Sequence, residues 1–93
     1  MSDESYSATL EIQNRKGLHA RAAAAFVKAI EDLNAEVSVE RIGQIVSGCS
    51  IMGLMMLAAA KGTKIKVSAA GTDAETAIAN ITQLVNGRFG EDR

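Results

Sequence analysis

Apolar residues recur along this chain in two rhythms, and the alternation between those rhythms restricts the fold more than any single motif does. Tyr6, Ala8, Leu10 and Ile12 alternate with Ser7, Thr9 and Glu11, the period of two expected of a strand with one buried face. Between Ala20 and Leu33 the apolar positions Ala22, Ala23, Phe26, Val27, Ile30 and Leu33 recur at three and four. They mark one stripe of an amphipathic helix that Asn34 is placed to stop. Val37 and Val39 return to alternation, and Arg41-Ile42-Gly43-Gln44 supplies a turn into a short strand at 44–47, forming a hairpin. Ser50 is predicted to cap a helix reaching about Ala60, closed by Lys61-Gly62 with a cation near the last carbonyls and a glycine able to take positive φ. Ile65, Val67 and Ala69 alternate again as a fourth strand. Thr72-Asp73-Ala74-Glu75 reads as a capping box opening a last helix to about Asn86, with Ala74, Ala77, Ile78, Ile81, Leu84 and Val85 on one stripe and Gly87 beyond its end.

The order is therefore β, α, β, β, α, β, α. Short connections favour antiparallel strands, and helices with one apolar face each must share one face of the sheet. The expected class is α+β, a two-layer open-faced sandwich with the other sheet face in water. Pattern alone leaves a ferredoxin-like arrangement open. The 93 residues are expected to form a single domain, 1–93, without linker, repeat or low-complexity segment. At this size roughly 60–68% of the unfolded surface is buried, enough for one core and too little for a deep cleft.

Composition narrows the function. Hydrophobic residues at 47% and charged residues at 23% are ordinary for a globular domain. A net charge of −1 gives no field to gather nucleic acid or an anionic membrane, and Tyr6, Phe26 and Phe89 are too few aromatics for a base-stacking platform. A nucleic-acid binder built on Arg15, Lys16 and Arg21 is disfavoured on these grounds. The single cysteine, Cys49, has no internal disulfide partner and is expected to be a small buried residue. Residues 1–5 lack the charged and apolar regions of a signal peptide, so a reducing cytoplasm is the expected compartment. No apolar run approaches the roughly 20 residues a bilayer requires. One histidine without a carboxylate cluster supports no metal site, and nothing in the pattern calls for a cofactor.

That histidine stands in Asn14-Arg15-Lys16-Gly17-Leu18-His19-Ala20-Arg21, where loop becomes helix. The first N–H groups of a helix lack intrahelical partners and the macrodipole adds about half a positive charge, so a phosphoryl group is favoured there. A neutral imidazole is a nucleophile near neutral pH, and one nitrogen can react while the other is held. Gly17 lets backbone come close, and Arg21 adds a guanidinium fork. The plainer alternative is a capping histidine that reacts with nothing.

Gly17-Leu18-His19-Ala20-Arg21 resembles the active-site motif of the histidine-containing phosphocarrier (HPr) family of the bacterial phosphoenolpyruvate-dependent phosphotransferase system. The stretch from Ser50 through Met52, Leu54, Met55 and Met56 to Lys61-Gly62 is similar to the family's second helix and following glycine turn, so the resemblance covers nearly the whole chain. The run Met56-Leu57-Ala58-Ala59-Ala60-Lys61-Gly62 and the ending Asn86-Gly87-Arg88-Phe89-Gly90-Glu91-Asp92 are closer to the nitrogen-related NPr branch.

The resemblance implies strand order 1-4-2-3 and a carrier rather than an enzyme. His19 would take a phosphoryl group at Nδ1 from Enzyme I and give it to an enzyme IIA protein, in sugar uptake or nitrogen-related regulation. Arg21, with the backbone of Ala20, Arg21 and Gly17, would hold the phosphoryl group. Met52, Leu54 and Met55 would help form the docking face, and Ser50 corresponds to the position that some family members have phosphorylated by a serine kinase/phosphorylase, the plainer alternative being an N-cap alone. A monomer is the default. One departure stands out: Ala22 occupies the place where the family usually has proline, which should loosen the helix start without removing a reacting group. The competing expectation is a regulatory binding module of the same fold whose histidine is not phosphorylated.

Overall fold

The computed structural model describes residues 5–92; residues 1–4, which fall within the stretch read as lacking a signal peptide, and Arg93 lie outside the described residues. The strands are β1 (Ser5–Glu11), β2 (Glu36–Arg41), β3 (Gln44–Ser47) and β4 (Lys64–Ala70), and the helices are α1 (Ala20–Ile30), α2 (Ile51–Met56) and α3 (Ala74–Asn86). A one-turn 3-10 helix, Arg88–Gly90, follows α3. The sheet order is β1-β4-β2-β3 with every neighbouring pair antiparallel.

Register follows from burial. Leu10 pairs with Ile65, and Val67 lies between Ala8 of β1 and Val39 of β2, so the apolar positions of three strands line up on one face. A one-residue slip would turn each of these side chains to the wet face. Against them pack Ala22, Ala23, Phe26 and Ile30 of α1, Leu54 of α2, and Ala74, Ala77, Ile81 and Val85 of α3. The outer members of the expected stripes, Val27, Leu33, Ile78 and Leu84, are half-buried at the edge of this core.

Element ends differ from the sequence expectation wherever a tertiary partner outbids a local one. β1 stops at Glu11, and Ile12 is held just beyond it by Gly62 N donating to its carbonyl at 2.8 Å and its own N–H donating to Thr63 O at 2.9 Å. α1 ends at Ile30 rather than Leu33, its last turn closed by Leu33 N donating to Ile30 O. The largest difference is α2, which ends at Met56 instead of about Ala60. Leu57 N and Ala58 N donate three residues back, Ala58 takes φ +52°, and Ala59 is turned into the core.

The capping box at Thr72 is also overturned. The N-cap of α3 is Asp73, and its side chain makes no capping bond. Asp73 Oδ2 instead accepts from Asn34 N at 2.7 Å, while Thr72 Oγ1 accepts from Asn34 Nδ2 at 2.9 Å. Both side chains tie the loop after α1 to the start of α3. Cys49, expected to be buried, is exposed, because the bend after β3 turns it outward while Gly48 takes the packed position.

The hairpin between β2 and β3 is a two-residue turn in which Ile42 (φ +48°) and Gly43 (φ +78°) are both left-handed. Glycine adopts this conformation freely, whereas a β-branched residue is strained there, and Ile42 is 87% exposed with nothing to gain from packing. Ile42→Asn is therefore expected to raise stability by about 1 kcal/mol, measured by urea unfolding.

Candidate functional site

The site is built by the loop between β1 and α1. Asn14, fully buried, donates from Nδ2 to Gly17 O at 2.8 Å, and Gly17 N donates to Asn14 O at 3.2 Å, closing a tight turn. Gly17 sits at φ +67°, and a Cβ there would lie 2.3 Å from Ala59 O. The next residue fastens the same contact, with Leu18 N donating to Ala59 O at 3.0 Å. The close approach expected of Gly17 is thus to the chain after α2. Its N–H is already committed to Asn14, so its part in the site is to let the loop pack.

His19 follows as the N-cap of α1, with φ −75° and ψ 180°. Its carbonyl accepts from Ala23 N at 2.8 Å, which begins the helical ladder and leaves the N–H groups of Ala20, Arg21 and Ala22 without intrahelical partners. Arg21 N donates to His19 Nδ1 at 3.2 Å. On the opposite side of the ring, Nε2 lies 2.6 Å from Glu91 Oε2. Since a backbone N–H can only donate, Nδ1 must present a lone pair to it, and the neutral ring carries its proton on Nε2 toward the carboxylate. The capping role proposed as the plainer reading is therefore real. The atom that caps is a nitrogen with its lone pair directed at unsatisfied donors.

Ala20 and Arg21 are exposed, and among the described residues the Arg21 guanidinium has no ion pair. Ala22, in place of the family's usual proline, is fully buried in the first turn of α1. Around the ring, Lys16, Leu18, Met55 and residues 58–60 form a shallow depression, so the start of α1 and the end of α2 share one surface. Of the second-helix residues expected to dock partners, Met52 (70% exposed) and Met55 (40%) face outward, as does Met56. Leu54 does not: it is fully buried and belongs to the core, because a short helix resting on a sheet must give up at least one side chain to it. Ser50 Oγ caps α2, accepting from Gly53 N at 2.9 Å.

Glu91 was not singled out from the sequence. It is separated from His19 by 72 positions and reaches it because the chain after α3 turns back through Arg88, Phe89 and Gly90, all left-handed, with Phe89 buried. Two glycines flanking an aromatic just past a helix end were the available signal. Asn14 Nδ2 also donates to Glu91 Oε1 at 3.2 Å. Burial alone would push the Glu91 carboxyl up, but hydrogen bonds from His19 and Asn14, with the charges of His19 and Lys16, together hold it below its ordinary value.

Among the described residues no cluster of three or more metal-ligating side chains occurs, and no helix is long and apolar enough to cross a membrane. Fold and site define a carrier-type domain, in which one histidine is presented at a helix N-terminus on an open surface. Residues 6–87 match the family described as "PTS HPr component phosphorylation site". The chain is 48% identical over 83 residues to the phosphocarrier protein HPr of Neisseria meningitidis, covering 89% of this chain and 93% of that protein. It is 36% identical over 87 residues to the multiphosphoryl transfer protein of Haemophilus influenzae, covering 90% of this chain and 17% of that longer one. The crystal structure of HPr-C-His from Thermoanaerobacter tengcongensis superposes with a TM-score of 0.90 at 40% identity, covering 95% of this chain and 99% of that one. The chain belongs to the HPr family, the phosphocarriers of the phosphotransferase system.

Gly17→Ala is expected to destabilise the fold by more than 1 kcal/mol in urea unfolding, since the methyl group meets a backbone oxygen and the left-handed φ is strained. The depressed Glu91 carboxyl implies a further stability term. It is fully present above the ordinary carboxyl value of 4.5 and lost as pH falls through the lower folded value. The stability difference between the wild type and Glu91→Gln should accordingly shrink toward zero as urea midpoints are followed down through that range.

Proposed function

We propose that His19 carries the phosphoryl group on Nδ1, receiving it from phosphorylated Enzyme I and passing it to an enzyme IIA protein. The observation that carries this reading is the lone pair of Nδ1 directed at the helix N-terminus, 3.2 Å from Arg21 N, while Nε2 is held on the far side of the ring. A phosphoryl group bonded to Nδ1 would displace the contact from Arg21 N and enter the region of the Ala20 and Arg21 N–H groups, which have no intrahelical partner. The Arg21 guanidinium, without an ion pair among the described residues, could swing onto its oxygens.

Phosphoryl transfer has a loose transition state with charge on the peripheral oxygens, so positioning and hydrogen-bond donation supply most of what a small protein can offer. An open site also suits a carrier. Very tight holding of the group would trap the intermediate and slow the second transfer.

The exposed Met52, Met55 and Met56, together with Ile51, give an adaptable apolar surface beside the histidine for both partners in turn. Resemblance to a segment of a multiphosphoryl transfer protein supports a place in a relay of successive transfers. Ser50, at the N-cap of α2 on the same surface, is the candidate for regulation by a serine kinase/phosphorylase, since a phosphate there would add charge to the docking face. In this reading the domain works as a monomer in the cytoplasm.

Incubation with Enzyme I and labelled phosphoenolpyruvate is expected to label the wild type with an acid-labile, base-stable phosphoryl group and to leave His19→Ala unlabelled. Arg21→Ala should remain labelled at a reduced rate. Absence of label on the wild type, with Enzyme I active on another carrier, would instead favour a regulatory module whose histidine is not phosphorylated.

A further inference from the structure

We infer that Glu91 is the positioning residue of the phosphoryl-transfer site, holding the His19 imidazole with its proton on Nε2 so that Nδ1 is the free nucleophile. The inference rests on the carrier role proposed for His19 and extends it to a residue at the far end of the chain. The contact is short, 2.6 Å from Nε2 to Oε2, in the range of a charge-assisted hydrogen bond. The carboxylate is not a mobile surface group. Its side chain is only 17% exposed, and its other oxygen, Oε1, accepts from the buried Asn14 at 3.2 Å. Asn14 in turn grips Gly17 O two residues before the histidine, so loop, ring and tail are connected through one amide.

The backbone that delivers Glu91 is built at some cost. Arg88 (φ +58°) and Phe89 (φ +55°) are non-glycine residues in the left-handed region, followed by Gly90 at φ +79°. Burial of Phe89 in the core anchors this turn. A strained segment persists where the surroundings over-determine it, and here its outcome is the placement of one carboxylate against one ring nitrogen.

The chemistry balances around that bond. The Nδ1 lone pair forms the new N–P bond, and the donor's bond to phosphorus breaks with its electron pair returning to the donor. The proton already on Nε2 stays there. The ring thereby gains positive charge, which the Glu91 carboxylate faces directly. The reverse sequence returns the ring to its neutral form when the group leaves, so no proton has to be exchanged with solvent in either direction. Among the described residues, Glu91 from the tail and Lys16 from the loop are the charged groups beside the ring, with Arg21 two residues on in α1, while α2 and the chain after it contribute Met55 and alanines.

The test uses the full chain with Enzyme I and phosphoenolpyruvate, and nitrogen-15 NMR of the His19 ring at about pH 8.5, above the ordinary histidine range. The wild type should show the proton on Nε2. Glu91→Ala should show mixed tautomers and accept phosphoryl groups about 10-fold more slowly, with the loss in kcat and an unchanged KM for Enzyme I. Glu91→Gln, which keeps an acceptor oxygen without the charge, should restore the tautomer and part of the rate. A wild-type tautomer and rate in Glu91→Ala would overturn the inference, as would a loss confined to KM, which would make Glu91 a docking residue. If the wild type takes no label while Glu91→Ala still changes the tautomer, the positioning role stands and the carrier role of His19 falls.

Discussion

The contact between Gly17 and the chain after α2 governs the site. With no side chain, Gly17 lies against Ala59 O, and Leu18 N completes the junction with a 3.0 Å hydrogen bond to the same oxygen. This pins the loop after β1 and so decides where α1 begins, which makes His19 its N-cap. It also decides where α2 ends. The Ala59 carbonyl that accepts from Leu18 is turned away from any continuing helix, and Ala58 adopts positive φ to turn it. A helix of only six residues cannot bury all of its apolar side chains, so Leu54 goes to the core while Met52, Met55 and Met56 remain outside, next to the histidine. One close approach thus places the histidine ring and the apolar surface beside it together.

Much of the fold was legible in the sequence because it depends on burial, and burial leaves a period. The alternation of Leu10, Val39, Ile65 and Val67 and the stripes through Phe26 and Ile81 identified three strands and the two long helices with the side each buries. Polar groups were less legible, since each has several possible partners and the chain chooses among them in three dimensions. Thr72 and Asp73 have the spacing of a helix cap yet bond Asn34 across a loop junction. Which apolar residues of α2 face inward was equally unreadable while its length was set by a contact with residues forty positions away in sequence. The placement of His19 was legible because it is local: a loop, a glycine and a helix start. Glu91 was not, because nothing near it in sequence says what it touches.

These two halves of the site differ in strength, in a way that suits reversible chemistry. On the Nδ1 side the ring meets a backbone N–H at 3.2 Å, a long and weak bond that a bulkier acceptor can displace. On the Nε2 side it meets a carboxylate at 2.6 Å that is itself held by a buried amide. The ring is therefore fixed from behind and lightly capped in front. Were the strengths reversed, an incoming group would have to break the stronger interaction first, and each transfer would start from a deeper well.

The asymmetry also explains why a strained tail can be kept. Left-handed backbone at Arg88 and Phe89 disfavours this turn by about 1–2 kcal/mol per residue, a large term against the few kcal/mol of net stability a domain of this size has. Burying the Phe89 ring returns an amount of the same order, so the turn can form without help from Glu91. The carboxylate then arrives at His19 already placed. The freedom that would otherwise be lost in ordering it has been surrendered during folding, and the short contact to Nε2 is left to act on the histidine.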